Sequence, residues 1–138
     1  MKIGNNNEYI ELIEQERVPE HLPTSGNVRV KVSVQLQEFH GSYENVWLDK
    51  NELRIFLKEL HKLNETRKGK VYLKSLSPDE FWVEIRTIDS VGHFEVQVQL
   101  KRHQYSGPTY WPTSVAGGFE LDPFQLESII KGFRALVE

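Results

Sequence analysis

One strand-to-helix step occurs twice in this chain, and the repeat constrains the fold more than any other feature. Leu48-Asp49 precedes one amphipathic stretch, and Leu121-Asp122 precedes a second near the C-terminus. In both stretches the apolar residues recur at helical spacing, which predicts a helix that buries one stripe of side chains. The stripes are Leu53, Phe56, Leu57, Leu60 and Leu63 in the first stretch and Leu126, Ile129, Ile130, Phe133 and Leu136 in the second. We therefore expect two helices, each beginning at the end of a strand and packing on a shared core.

The two repeated aspartates are predicted to be helix caps. Asp49 is followed at the third helical position by Glu52, which is the capping-box pattern. Asp122 is followed by Pro123, a residue favoured in the first helical position, and by Gln125 as the capping-box partner. A repeated aspartate pair also suggests twin catalytic carboxylates, but capping accounts for both residues.

The remaining regular pattern predicts antiparallel strands. Residues 28–36 alternate strictly between apolar and polar side chains, so one face of this strand packs on a core. Farther along, a turn at Ser90-Val91 sets Ile85 opposite Val96, and a loop over 76–80 sets Val71 opposite Ile85. The pair Gly117-Gly118 in the last strand suggests a β-bulge.

One-sided helices and one-sided strands bury their apolar faces by packing on each other. We therefore predict an α+β, two-layer fold with a single antiparallel sheet of about six or seven strands and both helices on one face. Residues 1–138 are expected to form one domain, in which 1–27 is a less regular strand and loop. The hairpin ahead of each helix suggests an internal duplication of a strand-hairpin-helix unit.

Composition and motifs argue against several functions. The chain has no cysteine and a net charge of −3, and its first residues hold no apolar run, so we expect a cytoplasmic protein without disulfides. The five histidines lack metal-ligand spacing, and no nucleophile or phosphate-binding motif is present. The basic cluster after the first helix lacks the interleaved aromatics of a nucleic-acid surface. We predict no catalytic residue, metal or cofactor, and neither a nucleic-acid nor a membrane partner.

Aromatic side chains outside the helical stripes are the candidate binding residues. Alternation directs Trp47, Tyr72 and Trp82 away from the helix-covered side of the sheet. A turn-rich loop over 104–113 adds further large rings. The predicted partner-binding set is Trp47, Tyr72, Trp82, Tyr105, Tyr110 and Trp111, since tryptophan and tyrosine are enriched at interfaces. The alternative is that the N-terminal strand or the loop over 14–27 covers these rings.

Three segments carry a resemblance to a known family. They are Leu53-x-x-Phe56-Leu57-x-x-Leu60, Val91-Gly92-His93-Phe94-x-Val96 and Gly118-Phe119-x-Leu121-Asp122. The chain resembles the WapI-type immunity proteins of bacterial polymorphic toxin systems, or a related family of small bacterial proteins. The resemblance implies a non-enzymatic protein that binds a cognate toxin domain and occludes or distorts its active site. It assigns no site residue.

Two other functions remain open from the sequence. One is a small-ligand-binding or enzymatic domain with a cleft near His40, His103 and the loop over 104–113. The other is a homodimer that pairs open sheet faces or edge strands. The sequence leaves the choice between monomer and homodimer undecided.

Overall fold

The computed structural model describes residues 1–138 and contains ten strands and two helices. The strands are β1 (Lys2–Gly4), β2 (Glu8–Arg17), β3 (Val28–Leu36), β4 (Phe39–Leu48), β5 (Lys70–Lys74), β6 (Phe81–Thr87), β7 (Phe94–Arg102), β8 (Tyr105–Ser106), β9 (Thr109–Tyr110) and β10 (Thr113–Leu121). The helices are α1 (Lys50–Thr66) and α2 (Leu126–Val137), and a 3-10 turn at Pro123–Gln125 precedes α2. Neither helix is both long and apolar enough to cross a membrane.

The strands form two four-stranded antiparallel sheets, so the predicted α+β class is confirmed. Sheet A has the order β1-β2-β3-β4, sheet B has the order β10-β7-β6-β5, and β8 pairs with β9 alone. The prediction of one sheet with six or seven strands differs from this division. Alternation along a strand predicts its hairpin partner, but it carries no information on whether strands separated by a helix share a sheet. Here α1 separates β4 from β5, and the two strands do not pair.

Each sheet is a four-stranded meander followed by a helix. The first unit is β1 to β4 and then α1, and the second is β5, β6, β7, β10 and then α2. This repeat is one hairpin longer than the predicted strand-hairpin-helix unit, because the sequence pattern does not reveal β1. Strand β2 is also regular over ten residues and continues to Arg17. The irregular part of the N-terminal region is therefore shorter than 1–27.

The registers predicted for sheet B are confirmed. Ile85 lies opposite Val96, and Val71 lies opposite Ile85. On the other face, Arg86 forms a salt bridge with Glu95, its neighbour across the strands. These matches follow because a one-residue slip would move every apolar side chain to the wrong face.

The glycines of β4 and β10 serve close approach between the sheets. Gly117-Gly118 forms no bulge, because β10 stays in register with β7 from end to end. A Cβ at Gly117 would lie 2.9 Å from Leu36 Cδ1, and one at Gly41 would lie 2.9 Å from Val115 Cγ2. Gly41 is accordingly a residue within strand β4. The bulges lie in β2 and β4, away from these contacts.

The inner faces of both sheets and both helices share one core. Thirty buried apolar side chains form a single cluster. At the helix–helix contact, the rings of Phe56 and Phe133 meet edge to face with centroids 4.8 Å apart. This packing is what the two predicted helical stripes require.

Asp49 caps α1 as predicted, whereas Asp122 caps the 3-10 turn that leads into α2 and not α2 itself. The Glu52 N–H donates to an Asp49 carboxylate oxygen at 3.0 Å, and the Phe124 N–H donates to Asp122 at 3.0 Å. Gln125 departs from the capping-box prediction, since its Oε1 accepts from the Gly4 N–H at 3.0 Å. That bond ties the start of α2 to β1.

Replacing Asp49 or Asp122 by alanine is expected to lower the free energy of unfolding by ~1 kcal/mol each, the usual contribution of a cap. The two losses should add in the double variant, because the caps share no partner. Urea unfolding monitored by circular dichroism measures both. A loss close to zero at either position would contradict the capping role.

Candidate functional site

The aromatic segment after His103 is a strand ribbon and not the predicted loop. β8 and β9 continue the register of β7 and β10, since Tyr105 lies opposite Tyr110 just as Arg102 lies opposite Thr113. Between these pairs the Trp111 N–H donates to the Gln104 carbonyl at 2.7 Å. We call residues 103–112 the aromatic ribbon. Residues 104–112 of it are all exposed, and β8 and β9 pair only with each other.

The prolines explain why this ribbon was predicted to be a loop. Pro112 lies opposite His103, in a pair next to the hydrogen-bonded pair of Gln104 and Trp111. Antiparallel pairs alternate between hydrogen-bonded and non-hydrogen-bonded, so Pro112 needs no N–H toward its partner. Gly107, with φ of +60°, and Pro108 then form the turn at the tip.

Alternation divides the rings of the ribbon between its two faces. His103, Tyr105 and Tyr110 lie on one face, which continues the outer face of sheet B. The ring centroids of Tyr105 and Tyr110 are 5.0 Å apart, and His103 stacks on Tyr110 and hydrogen-bonds its hydroxyl. Trp111 lies on the opposite face and is 59% exposed. The ribbon therefore presents aromatic side chains on both faces.

A second aromatic group lies on the outer face of sheet B itself. Tyr72 of β5 and Trp82 of β6 have ring centroids 6.1 Å apart. Tyr72 is 48% exposed and Trp82 is half-buried. Lys74 lies opposite Trp82 across the strands, and the ring of Tyr72 is the aromatic neighbour of Trp82.

Trp47 lies apart from the other five predicted contact residues. It belongs to β4 of sheet A, opposite Arg29, and is half-buried. Its carbonyl accepts from the Leu76 N–H at 2.9 Å, which joins β4 to the loop after β5. The structure thus brings Tyr72 and Trp82 together, and separately the rings of the ribbon, but places Trp47 on the other sheet.

The N-terminal region does not cover the exposed rings. Residues 8–17 belong to sheet A, and the following loop turns back on itself through the Val18 N–H and the Asn27 carbonyl, 2.9 Å apart. Asn27 also accepts from the Lys50 N–H at 3.0 Å, which ties this loop to the start of α1. Tyr72 and the ribbon remain open to solvent.

A shallow groove of about 490 Å³ runs along the outer face of sheet B, between Trp82 and β10. It exists because Ala116 and Gly118 supply almost no side chain on this face. A Cβ at Gly118 would lie 2.6 Å from the Val96 carbonyl oxygen, so only glycine fits there. The groove is also lined by Glu95 and Glu120.

The predicted histidine cleft is divided between two places. His40 lines a hollow of about 160 Å³ together with Arg102 and Val115, and no carboxylate lines it. His103 does not line that hollow and instead hydrogen-bonds Tyr110. Burial raises the pKa of Glu80, and the Coulomb interaction with the nearby His103 partly offsets this rise. No three His, Asp or Glu side chains are grouped closely enough to bind a metal.

His93 and Asp89 form an exposed pair in the turn between β6 and β7. His93 Nδ1 lies 2.7 Å from an Asp89 carboxylate oxygen, and this hydrogen bond raises the pKa of His93 above its ordinary value of 6.5. The same bond, together with the Val91 N–H, lowers the pKa of Asp89. The two side chains form an ion pair whenever His93 is protonated.

We expect His93 to titrate above pH 6.5 in the folded protein and to return toward 6.5 in the Asp89→Asn variant. Because the folded pKa is raised, the pair's contribution to stability is present below the unfolded pKa of His93 and is lost as the pH rises through the folded value. At low pH the pair's contribution to stability is lost as the pH falls through the lowered pKa of Asp89, where the carboxylate becomes protonated. NMR titration of the His93 ring protons measures the shift. An unchanged value in the variant would contradict the assignment.

The chain matches a family model in the comparison with known proteins. The model of the immunity protein WapI-like family matches residues 3–138. No curated protein matches the chain, and no solved structure does. The match covers both sheets and both helices.

Proposed function

Because the chain belongs to the WapI-like immunity protein family, we propose that it neutralises a cognate bacterial toxin by binding the toxin domain directly. The structural observation that carries this proposal is an uncovered face that carries two groups of aromatic side chains. It consists of the outer face of sheet B with Tyr72 and Trp82, and of the ribbon with Tyr105 and Tyr110. Exposed tyrosine and tryptophan of this kind are typical of residues that dominate binding energy at protein interfaces.

The shape of the ribbon supports occlusion of a concave site in the toxin. Strands β8 and β9 continue the β7–β10 hairpin beyond the end of sheet B, pair only with each other and are exposed. No Asp or Glu occurs between Glu95 and Glu120, whereas Lys101 and Arg102 lie at the base of the ribbon. This combination of rings and positive charge suits a cleft that contains carboxylates. In this proposal Trp111 contacts the toxin from the other side of the ribbon, and Trp47 lies at the margin of the interface.

The proposed mode of action involves no chemistry by the immunity protein itself. Binding energy from buried aromatic side chains is sufficient to hold a toxin inactive, and a single copy of the chain presents the whole surface. We place this interaction in the cytoplasm, where a neutralising protein meets a delivered toxin. No metal or cofactor enters the proposal.

Co-expression with the toxin domain encoded beside this chain tests the proposed function. Cells that produce both proteins should survive, and a tagged copy of this protein should retain the toxin domain on an affinity column. Survival that is no better than with the toxin alone, together with no retention, would reject the proposal. A catalytically inactive toxin domain provides the control for expression.

A further inference from the structure

Strand β10 is an edge of sheet B and leaves one row of main-chain groups without partners. The Trp111 N–H bonds to Gln104, and hydrogen-bonded pairs then recur at every second residue of an antiparallel ladder. Odd-numbered residues of β10 therefore bond to β7. The N–H and C=O groups that point away from the sheet belong to Ser114, Ala116, Gly118 and Glu120, which are all exposed.

This edge lacks the protection found on the other three edges of the two sheets. Native edges are kept from pairing by short length, charged side chains, prolines or bulges. β1 has three residues, β4 contains a bulge, and β5 carries Lys70 and Lys74 on its free side. β10 has nine residues in unbroken register, without a charge or a proline from 113 to 119. Among the four edges, β10 is the one open to strand addition.

The groove beside this edge indicates what kind of strand fits. A strand added next to β10 places alternate side chains over Ala116 and Gly118, where about 490 Å³ is empty. A second copy of β10 would bring only its own serine, alanine and glycine to this position, so the groove would stay unfilled. The space therefore favours a different chain that carries a large side chain.

The charges of the groove indicate the chemistry of that side chain. Glu95 is neutralised by its salt bridge to Arg86, whereas Glu120 forms no salt bridge. Trp82 forms the opposite wall. A cationic side chain can stack on an indole ring and bind a carboxylate at the same time.

We propose that an extended segment of the toxin domain adds to sheet B as a fifth strand beside β10 and places an arginine or lysine side chain in the groove between Trp82 and Glu120. This inference rests on the proposed function and identifies where the toxin is held. Main-chain hydrogen bonds to β10 supply affinity, and the groove supplies specificity.

Hydrogen exchange on the complex with the adjacent toxin domain tests the strand addition directly. The amides of Ala116 and Gly118 have no partner in sheet B and should exchange freely in the unbound protein. They should become protected in the complex, because they then donate to the added strand. Protection that appears elsewhere on the molecule while these two amides stay unprotected would overturn the inference and leave the proposed function standing. If the wild-type protein does not bind the toxin domain at all, the strand addition and the proposed function are both rejected.

Two variants at position 116 separate main-chain pairing from crowding. Ala116→Pro removes the main-chain N–H that points away from sheet B and that no strand of the sheet uses. Ala116→Val introduces a side chain about as large as that of proline and keeps this N–H. We expect the proline variant to bind the toxin domain at least ~10-fold more weakly than the valine variant, through lost and blocked main-chain hydrogen bonds. Equal affinities for two folded variants would overturn the inference.

The charge of the groove is tested by Glu120→Gln, with the exposed helical Glu59→Gln as its matched control. We expect the affinity for the toxin domain to fall ~10-fold for the first variant and to stay unchanged for the second. The loss should also shrink at high salt, since it reports an ion pair at a partly open site. Equal affinities for the two variants would contradict the cationic side chain.

Discussion

Replacing both Tyr105 and Tyr110 by alanine is expected to weaken binding of the toxin domain by ~100-fold or more. The two rings lie across the ribbon from each other with centroids 5.0 Å apart, and Tyr105 is 68% exposed. Aromatic side chains that are open in the free protein and enclosed in a complex are the usual hot spots of an interface. Isothermal titration calorimetry or biolayer interferometry with an inactive toxin domain measures the loss.

The stability of this double variant should change by less than ~1 kcal/mol, because neither ring belongs to the buried core. Phe124→Ala is the matched control, since Phe124 is 89% exposed and lies in the 3-10 turn before α2, outside the proposed surface. The control should bind normally. If the double variant binds as tightly as the wild type, the ribbon is not part of the interface; if it unfolds, the rings serve structure instead.

Replacing Phe133 by alanine is expected to lower the free energy of unfolding by ~3–5 kcal/mol. Its ring is fully buried at the contact between α1 and α2, edge to face with Phe56 at 4.8 Å. The loss combines the transfer free energy of the ring with the cavity that it leaves. For a protein of this size such a change is a large part of the total stability. Urea unfolding followed by circular dichroism gives the value.

A double-mutant cycle with Phe56→Ala measures the contact between the two rings. We expect a coupling of ~1 kcal/mol, the usual value for an aromatic pair beyond its burial. Phe39→Ala is the control for loss of a phenyl ring, because Phe39 is 73% exposed at the tip of the β3–β4 hairpin. A loss below ~1 kcal/mol for Phe133→Ala would mean that the helices do not pack as described.

The candidate surface was predictable from the sequence only in part. Alternation of side chains places Tyr72 and Trp82 on an outer face, and the structure shows these two in contact. The alternation does not show that Trp47 belongs to a different sheet, because Trp47 and Trp82 both point away from the apolar face of their own strand. The groove depends on Gly118 lying beside Gln97 across β10 and β7, which is a pairing between strands and not a property of either segment.

The ribbon shows how a local signal misleads. Gly107, Pro108 and Pro112 are typical of a loop, and the sequence predicts one. In the folded chain Gly107 and Pro108 form a tight turn, and Pro112 occupies a pair that uses no N–H, so the strands of sheet B continue past His103. Proline prevents strand pairing only where its missing hydrogen would have been used.

The sequence by itself determined the two capped helices, the registers of β5, β6 and β7, and membership of the α+β class. These features depend on the period of apolar residues and on caps such as Asp49 and Asp122, which act over a few neighbouring positions. Only the tertiary structure decided that the strands form two sheets, that Gly41 and Gly117 let those sheets approach, and that β10 keeps a free edge beside an empty groove. Such features depend on which strands lack a partner, and that is settled by how the whole chain packs.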